Sequence, residues 1–215
     1  MRIGVIGTGN MADALGGQWA RAGHEVFVGG RDPGGAAALA ARIGAAGHGS
    51  PREAAEFGDG AVLCALPYAV GEEVAAGLAD ALAGRVLVDC CNPVGEGFSL
   101  RTGGGPAAAE RLAAASGARV VKAFNLCHES VWRLTPPVFD GRPLGVPLCG
   151  DDAEALTVVR ELVRDLGCAP YDAGGLDRAG LVEATAALLI GLWVGQGVDA
   201  QAIAPPLARA GGEGA

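Results

Sequence analysis

Short apolar runs alternate with alanine-rich stretches of helical spacing from the first residues of the chain. Arg2 to Ile6 and Glu25 to Gly29 read as strands on either side of a helix over Met11 to Ala22. "GGAAALAARIG" reads as a second helix. "SPREAAEFG" places Ser50 as cap, Pro51 in the first turn and Glu53 at the third helical position, the pattern of a capping box. Ala61 to Leu66 and Arg85 to Asp89 are unbroken apolar runs, as strands buried on both faces are. Arg119 to Phe124 is a sixth strand, and a weak third lies near Ala46 to Gly49.

That alternation implies right-handed βαβ units, and hence an α/β fold with a doubly wound parallel sheet of Rossmann type. After Phe124 the rhythm changes. "NLCHESVWRL" reads as a short helix, "GVPLCG" as a strand, Asp151 to Leu166 as a helix capped by Asp151 or Asp152, and "APYDAG" as a further strand. Leu176 to Val194 is the longest and most apolar helix. It is apolar nearly all round, so a partner surface should bury it, and a homodimer interface is a natural candidate. From Gln201 the chain is rich in Pro and Gly without period, and a mobile end is expected.

Composition narrows the class. In 215 residues, 16 basic against 24 acidic side chains give a net charge of -8, with no basic cluster. A nucleic-acid or anionic-membrane surface is therefore not expected. The six cysteines contain no C-x-x-C and mostly sit in apolar, strand-like stretches. They read as reduced core thiols of a cytoplasmic protein, with no metal site. The chain shows no signal-peptide pattern, and its longest apolar run, "ATAALLIGLWVG", is too short to span a bilayer.

Chemistry concentrates first at "IGVIGTGNMA". Gly7, Gly9 and Ala12 stand in G-x-G-x-x-A spacing between a strand and a helix. In such a loop (Gly7, Thr8, Gly9, Asn10, Met11, Ala12) the first glycine allows a sharp turn and the second lets the backbone approach a pyrophosphate. The small third residue lets helix pack on strand, and the helix N-terminus offers its free N–H groups. The second strand ends in "VFVGGRD", about twenty residues on, where an NAD site carries an acid for the ribose hydroxyl. Here Gly30 leaves room and Arg31 offers a guanidinium fork suited to a 2'-phosphate, which points to NADP(H). The alternative is a solvated Arg31, with Asp32 taking the ribose. Farther along, "LCALPY" and "DCCNPVGEGF" set Leu66, Pro67, Tyr68, Asn92 and Pro93 on the rim where the nicotinamide half belongs. The Asn92 amide there could hold the carboxamide or a substrate carbonyl, or simply close a turn before Pro93.

These residues, with "VVKAFN", "PLCGDD", "YDAGGLDRAGLVE" and the long final helix, resemble the NADPH:coenzyme F420 oxidoreductase family. They also resemble the cytosolic domain of the transmembrane ferric reductases. The likeness runs from Met1 to about Val194. It implies an NADP-binding Rossmann domain over residues 1–126 and a small C-terminal α/β part over residues 127–215 that closes the cofactor cleft. The activity implied is hydride passage between nicotinamide and a deazaflavin or flavin ring, the second small-molecule substrate. That substrate would lie beside Asn125 to Glu129.

The chain departs from the family pattern at that point. Leu126, Cys127, His128 and Glu129 stand where a Thr-Ile-Pro type stretch is usual. His128 could be a proton donor for a carbonyl, imine or N-heterocycle, with Glu129 as its orienting or substrate-binding partner. Side chains at i and i+1 of a helix do not face each other, so any coupling is expected to be indirect. The alternative is a first helical turn with a surface acid and a half-buried histidine. Lys122 is expected to be solvated at a strand edge. Glu183, a lone acid in an apolar helix, should cap or bridge to another element. Two readings thus stand beside the ring-to-ring oxidoreductase: a reductase using His128, and a non-catalytic NADP(H) sensor.

Overall fold

The computed structural model describes residues 1–203. In chain order the elements are β1 (Arg2–Ile6), α1 (Asn10–Arg21), β2 (Glu25–Gly29), α2 (Pro33–Ile43), β3 (Gly47–Gly49), α3 (Pro51–Phe57), β4 (Ala61–Cys64), α4 (Tyr68–Gly77), α5 (Ala79–Leu82) and β5 (Val86–Asp89). They continue with α6 (Ala108–Ser116), β6 (Arg119–Lys122), α7 (Glu129–Trp132), β7 (Val138–Phe139), β8 (Arg142–Pro143), β9 (Gly145–Gly150), α8 (Ala153–Asp165), β10 (Ala169–Asp172) and α9 (Ala179–Ile190).

Eight strands form one sheet in the order β10-β9-β6-β5-β4-β1-β2-β3, and β7 with β8 forms a separate hairpin. The run from β3 to β6 is parallel throughout, and strand order reverses between β1 and β4. β9 then adds antiparallel to β6, and β10 parallel to β9. The segment after residue 126 therefore extends the same sheet, and β6 lies inside it rather than at its edge.

Local chemistry accounts for the helix boundaries. Asp32 caps α2 by accepting from the Gly34 and Gly35 N–H groups, with Pro33 in the first turn. The capping box at α3 is present, Ser50 accepting from the Glu53 N–H while the Glu53 carboxylate accepts from the Ser50 N–H. Of the two candidate caps for α8, Asp152 is the one used. α1 buries six consecutive residues from Ala14 through Trp19 together with Ala12, because sheet, α2 and α7 enclose it. α4 and α6 are helices that the apolar pattern does not announce.

The end of β6 turns on an unusual residue. Phe124 has φ 60, a left-handed conformation that non-glycine residues rarely hold. Its ring is fixed edge-on between Trp19 and Trp132, at centroid distances of 5.8 and 5.5 Å. The strain is supported by packing, and the chain leaves the sheet abruptly at Asn125.

α9 continues from a 3-10 turn (Leu176–Arg178) into a π turn (Gly191–Gly195), a helical run of 20 residues. By length and composition alone that run could cross a bilayer, which the shorter apolar stretch within it could not. Its inner face contributes Val182, Glu183, Ala186 and Ala187 to the interior, while Leu181, Leu188 and Val194 are exposed. Gln201–Ile203 forms a 3-10 turn, and the rest of the tail expected to be mobile lies outside the described residues.

Candidate functional site at the strand-order switch

The crevice outside the C-terminal ends of β1 and β4 is where an open sheet of this topology binds its ligand. The Gly7–Ala12 loop forms its floor. Gly7 takes φ 124, and its N–H donates to the Gly29 carbonyl at 2.8 Å. A Cβ there would run into the Ala65 carbonyl, so this glycine is required by the fold. Gly9 differs. It caps α1 without a side chain, and a Cβ there would meet nothing within 4 Å. The N–H groups of Asn10, Met11 and Ala12, which have no partner inside a helix, stay open beside that space. Open amides at a helix N-terminus suit an anion such as a pyrophosphate.

The two glycines should therefore fail differently. Gly7→Ala should lower stability by about 1–3 kcal/mol through overpacking and a forbidden φ. Gly9→Val should lower stability by less than about 1 kcal/mol, the loss of a favourable capping residue, and weaken dinucleotide affinity by about tenfold or more. Unfolding curves and titrations of the two variants check the contrast; a matched loss of stability in both would contradict it.

At the end of β2, Gly30 donates to the Gly49 carbonyl at 3.0 Å and packs on Thr8, where a Cβ would come within 2.8 Å of Thr8 Cγ2. Arg31 is exposed and makes no ion pair with any described residue. Asp32, the competing candidate for the ribose, has both carboxylate oxygens engaged by the α2 amides at 3.2 and 2.9 Å. The corner thus presents one uncommitted cation and no uncommitted acid.

On the opposite rim, Leu66 is half-buried, and Pro67 is exposed at the start of α4. Tyr68 does not extend that wall, because its hydroxyl faces Arg111 at 3.4 Å. A small cavity lined by Leu66, Tyr68, Asp89, Cys91 and Ala108 lies beside them. Pro93 is buried. Asn92 is not the unengaged amide that its position suggested. Its Nδ2 donates to the Asn125 carbonyl at 2.7 Å, and its Oδ1 accepts from Asn125 Nδ2 at 2.9 Å.

Behind this pair lies a charge cluster that corrects the reading of Lys122 as solvated. Lys122 is fully buried; its Nζ lies 2.8 Å from Asp89 Oδ2, 3.0 Å from Glu183 Oε1 and 2.6 Å from the Cys91 carbonyl. Burial opposes its charge, but the two carboxylates outweigh burial and hold the ammonium above its usual range. Glu183 bridges as expected of a lone acid, and it also accepts from the Ala108 and Ala109 N–H groups at the start of α6. By holding the Cys91 carbonyl, Lys122 fixes the backbone one residue before Asn92.

His128 and Glu129 stand across the loop from this cluster. His128 Nε2 lies 2.8 Å from Glu129 Oε2, so the two are in direct contact, contrary to the expectation from helical neighbours. The reason is that His128 is the cap of α7, with extended φ and ψ, and is not inside the helix. Its Nδ1 accepts from the Ser130 N–H at 3.3 Å, so both ring nitrogens are engaged. Glu129 Oε1 accepts from Asn10 Nδ2 at 3.0 Å, which ties α7 to the cofactor loop. Asp13, in the first turn of α1, is held by Arg133 and Arg42; burial opposes its charge, but those two hydrogen bonds keep its carboxyl below the usual range.

The cysteines are free, with Cys64, Cys90, Cys149 and Cys168 buried and Cys91 and Cys127 half-buried. Burial pushes the Cys64 thiol up to about 12 and the Cys127 and Cys168 thiols up to about 11, so none is a poised nucleophile. Sequence reasoning missed Asp89 and undervalued Lys122 and Asn125. The "KAFN" run contained the signal, since a lysine flanked by buried apolar residues in a strand covered on both faces requires a partner.

Residues 2–93 match the family model described as NADP oxidoreductase coenzyme F420-dependent. The chain is 33% identical over 193 residues to metalloreductase STEAP3 of Rattus norvegicus, covering 89% of this chain and 38% of that longer protein. It is 29% identical over 215 residues to the F420-dependent NADP reductase of Methanothermobacter marburgensis, covering 89% of this chain and 92% of the relative. Among solved structures, one from Arthrobacter sp. FB24, whose proposed identity is an F420-dependent NADP reductase, superposes with a TM-score of 0.80. It is 27% identical and covers 92% of this chain and 96% of that one.

Proposed function

We propose that this chain, whose residues 2–93 match the model of coenzyme F420-dependent NADP oxidoreductases, passes hydride between NADP(H) and coenzyme F420 or a flavin. The observation that carries the cofactor half is the adenosine corner, where Arg31 is uncommitted while Asp32 is engaged as a helix cap. When bound, NADP(H) supplies the nicotinamide ring that carries the hydride.

The chain's own part is to bind and align. The open amides at Asn10, Met11 and Ala12 hold the pyrophosphate, Arg31 receives the 2'-phosphate, and Leu66, Pro67, Asn92 and Asn125 border the nicotinamide. Transfer between two rings needs alignment and exclusion of water more than a protein acid.

The testing experiment offers NADPH with coenzyme F420, with FMN and with a cyclic imine, following the loss of nicotinamide absorbance. Oxidation with F420 or FMN is expected, whereas oxidation with the imine alone would contradict the proposal. A second reading, reduction of a carbonyl or imine with His128 as acid, draws on the His128–Glu129–Asn10 chain of contacts. His128→Ala separates the two. Ring-to-ring transfer should stay within about twofold of the parent, while loss of a general acid would cost about a hundredfold or more.

A further inference from the structure

Between β5 and α6 the chain folds back on itself beside the nicotinamide rim. The Arg101 N–H donates to the Pro93 carbonyl at 2.7 Å, the Gly95 N–H donates to the Ser99 carbonyl at 2.8 Å, and Val94 bridges antiparallel to Leu100. These contacts close a short finger. Its tip is a 3-10 turn over Glu96–Phe98, in which Phe98 takes φ 59. The Phe98 side chain lies on the π turn at the end of α9: a Cβ at Gly195 would come within 2.7 Å of its ring, and one at Gly191 within 3.3 Å of its Cβ. Two glycines thus open a seat for one aromatic side chain, and the finger is held at base and tip.

That arrangement orders Arg101 without using its charge. Its stem lies along Gly95, where a Cβ would come within 2.9 Å of Arg101 Cγ, and its guanidinium sits 5.6 Å from the centre of the Tyr68 ring. Pro93 and Tyr68 stand on the two segments of the rim, so Arg101 is bonded to one and reaches over the other. It is exposed, and it makes no ion pair and no side-chain hydrogen bond with any described residue. The neighbouring Arg111 differs, since Glu72 holds its Nε at 2.8 Å. A guanidinium whose stem is ordered and whose donors are free suits a phosphate. Arg31 stands in the same condition at the adenosine end of the crevice. The open amides of the loop and Arg31 already answer the phosphates of the nucleotide, which leaves Arg101 for an anion on the second substrate.

We infer that Arg101 receives a phosphate ester carried on the side chain of the ring that exchanges hydride with the nicotinamide. The inference rests on the hydride-transfer reading above and narrows it, because it makes the acceptor a phosphorylated flavin or deazaflavin and not the bare ring. FMN and coenzyme F420 share that ester. Riboflavin and the deazaflavin without its phosphate tail lack it.

The test follows NADPH oxidation with two pairs of acceptors, FMN against riboflavin and coenzyme F420 against its phosphate-free deazaflavin. In the wild-type protein kcat/KM should be about tenfold higher for the phosphorylated member of at least one pair, through KM and not kcat, and the pair that shows it identifies the source of the phosphate. Arg101→Ala should bring the members of that pair level and leave the calorimetric affinity for NADPH unchanged. The wild-type comparison needs no variant, so it stands even if Arg101→Ala fails to fold. Equal kcat/KM within both pairs, a preference that survives in Arg101→Ala, or a matching loss of NADPH affinity in that variant would overturn the inference while leaving hydride transfer in place. Failure of all four acceptors to oxidise NADPH would overturn both.

Discussion

Lys122→Met lowers the stability of the folded chain by about 3–5 kcal/mol, the loss expected when one partner of a buried ion cluster is removed. Lys122, Asp89 and Glu183 are each 1% exposed or less, and among the described residues the ammonium is the only cation touching the two acids. Methionine fills much the same volume, so packing is nearly conserved and the loss is electrostatic. Glu183 keeps the Ala108 and Ala109 amides, whereas Asp89 keeps only the Cys91 N–H at 2.9 Å. Adding Asp89→Asn to Lys122→Met should therefore recover part of the loss. Urea unfolding of the three proteins measures this, and a loss below about 1 kcal/mol in the single variant would place these charges in contact with water. The single variant should also bind dinucleotide less well, since the Cys91 carbonyl before Asn92 is released.

Arg31→Ala has the next largest expected effect, on selectivity rather than stability. Charge-assisted bonds from a guanidinium to a phosphate are among the stronger polar contacts, so affinity for NADPH should fall about tenfold to a hundredfold. NADH has no 2'-phosphate to lose, and its affinity should hardly change. Because Arg31 is exposed and pairs with no described residue, its removal should not alter unfolding. Competitive titration of the variant with both nucleotides settles the assignment; equal losses for the two would contradict it.

The strands β1, β2, β4, β5 and β6 were legible because strands covered on both faces are continuous apolar runs with turn signals between them. Caps at Ser50 and Asp152 were legible because their chemistry is local. The strand readings Ala61 to Leu66 and Arg119 to Phe124 ran past the observed ends at Cys64 and Lys122. There the apolar pattern continues while the chain has already left the ladder to build the crevice. α4 and α6 were not read as helices, since small residues make up half or more of each and weaken the contrast between their faces.

Lys122 shows what sequence pattern cannot reach. Its burial follows from α9 covering this face of the sheet, where Glu183 reaches Lys122, and from β9 extending the sheet past β6, contacts between residues far apart in sequence. Taken as an edge strand, β6 would have left the lysine solvated. His128 and Glu129 illustrate a local version of the same limit: one capped residue outside the helix converts a poor helical neighbour into a direct partner. The cofactor loop, by contrast, was readable in advance because each of its glycines answers a separate steric demand. Only the structure separated the demand of the fold at Gly7 from the open space at Gly9.

All of the functional reading rests on a pocket that prefers the phosphorylated nucleotide. Calorimetric titration of the wild-type protein with NADPH and with NADH tests it most directly. The geometry predicts one saturable NADPH site per chain, at least about tenfold tighter than NADH. Equal affinities, or no binding heat with either nucleotide, would contradict it.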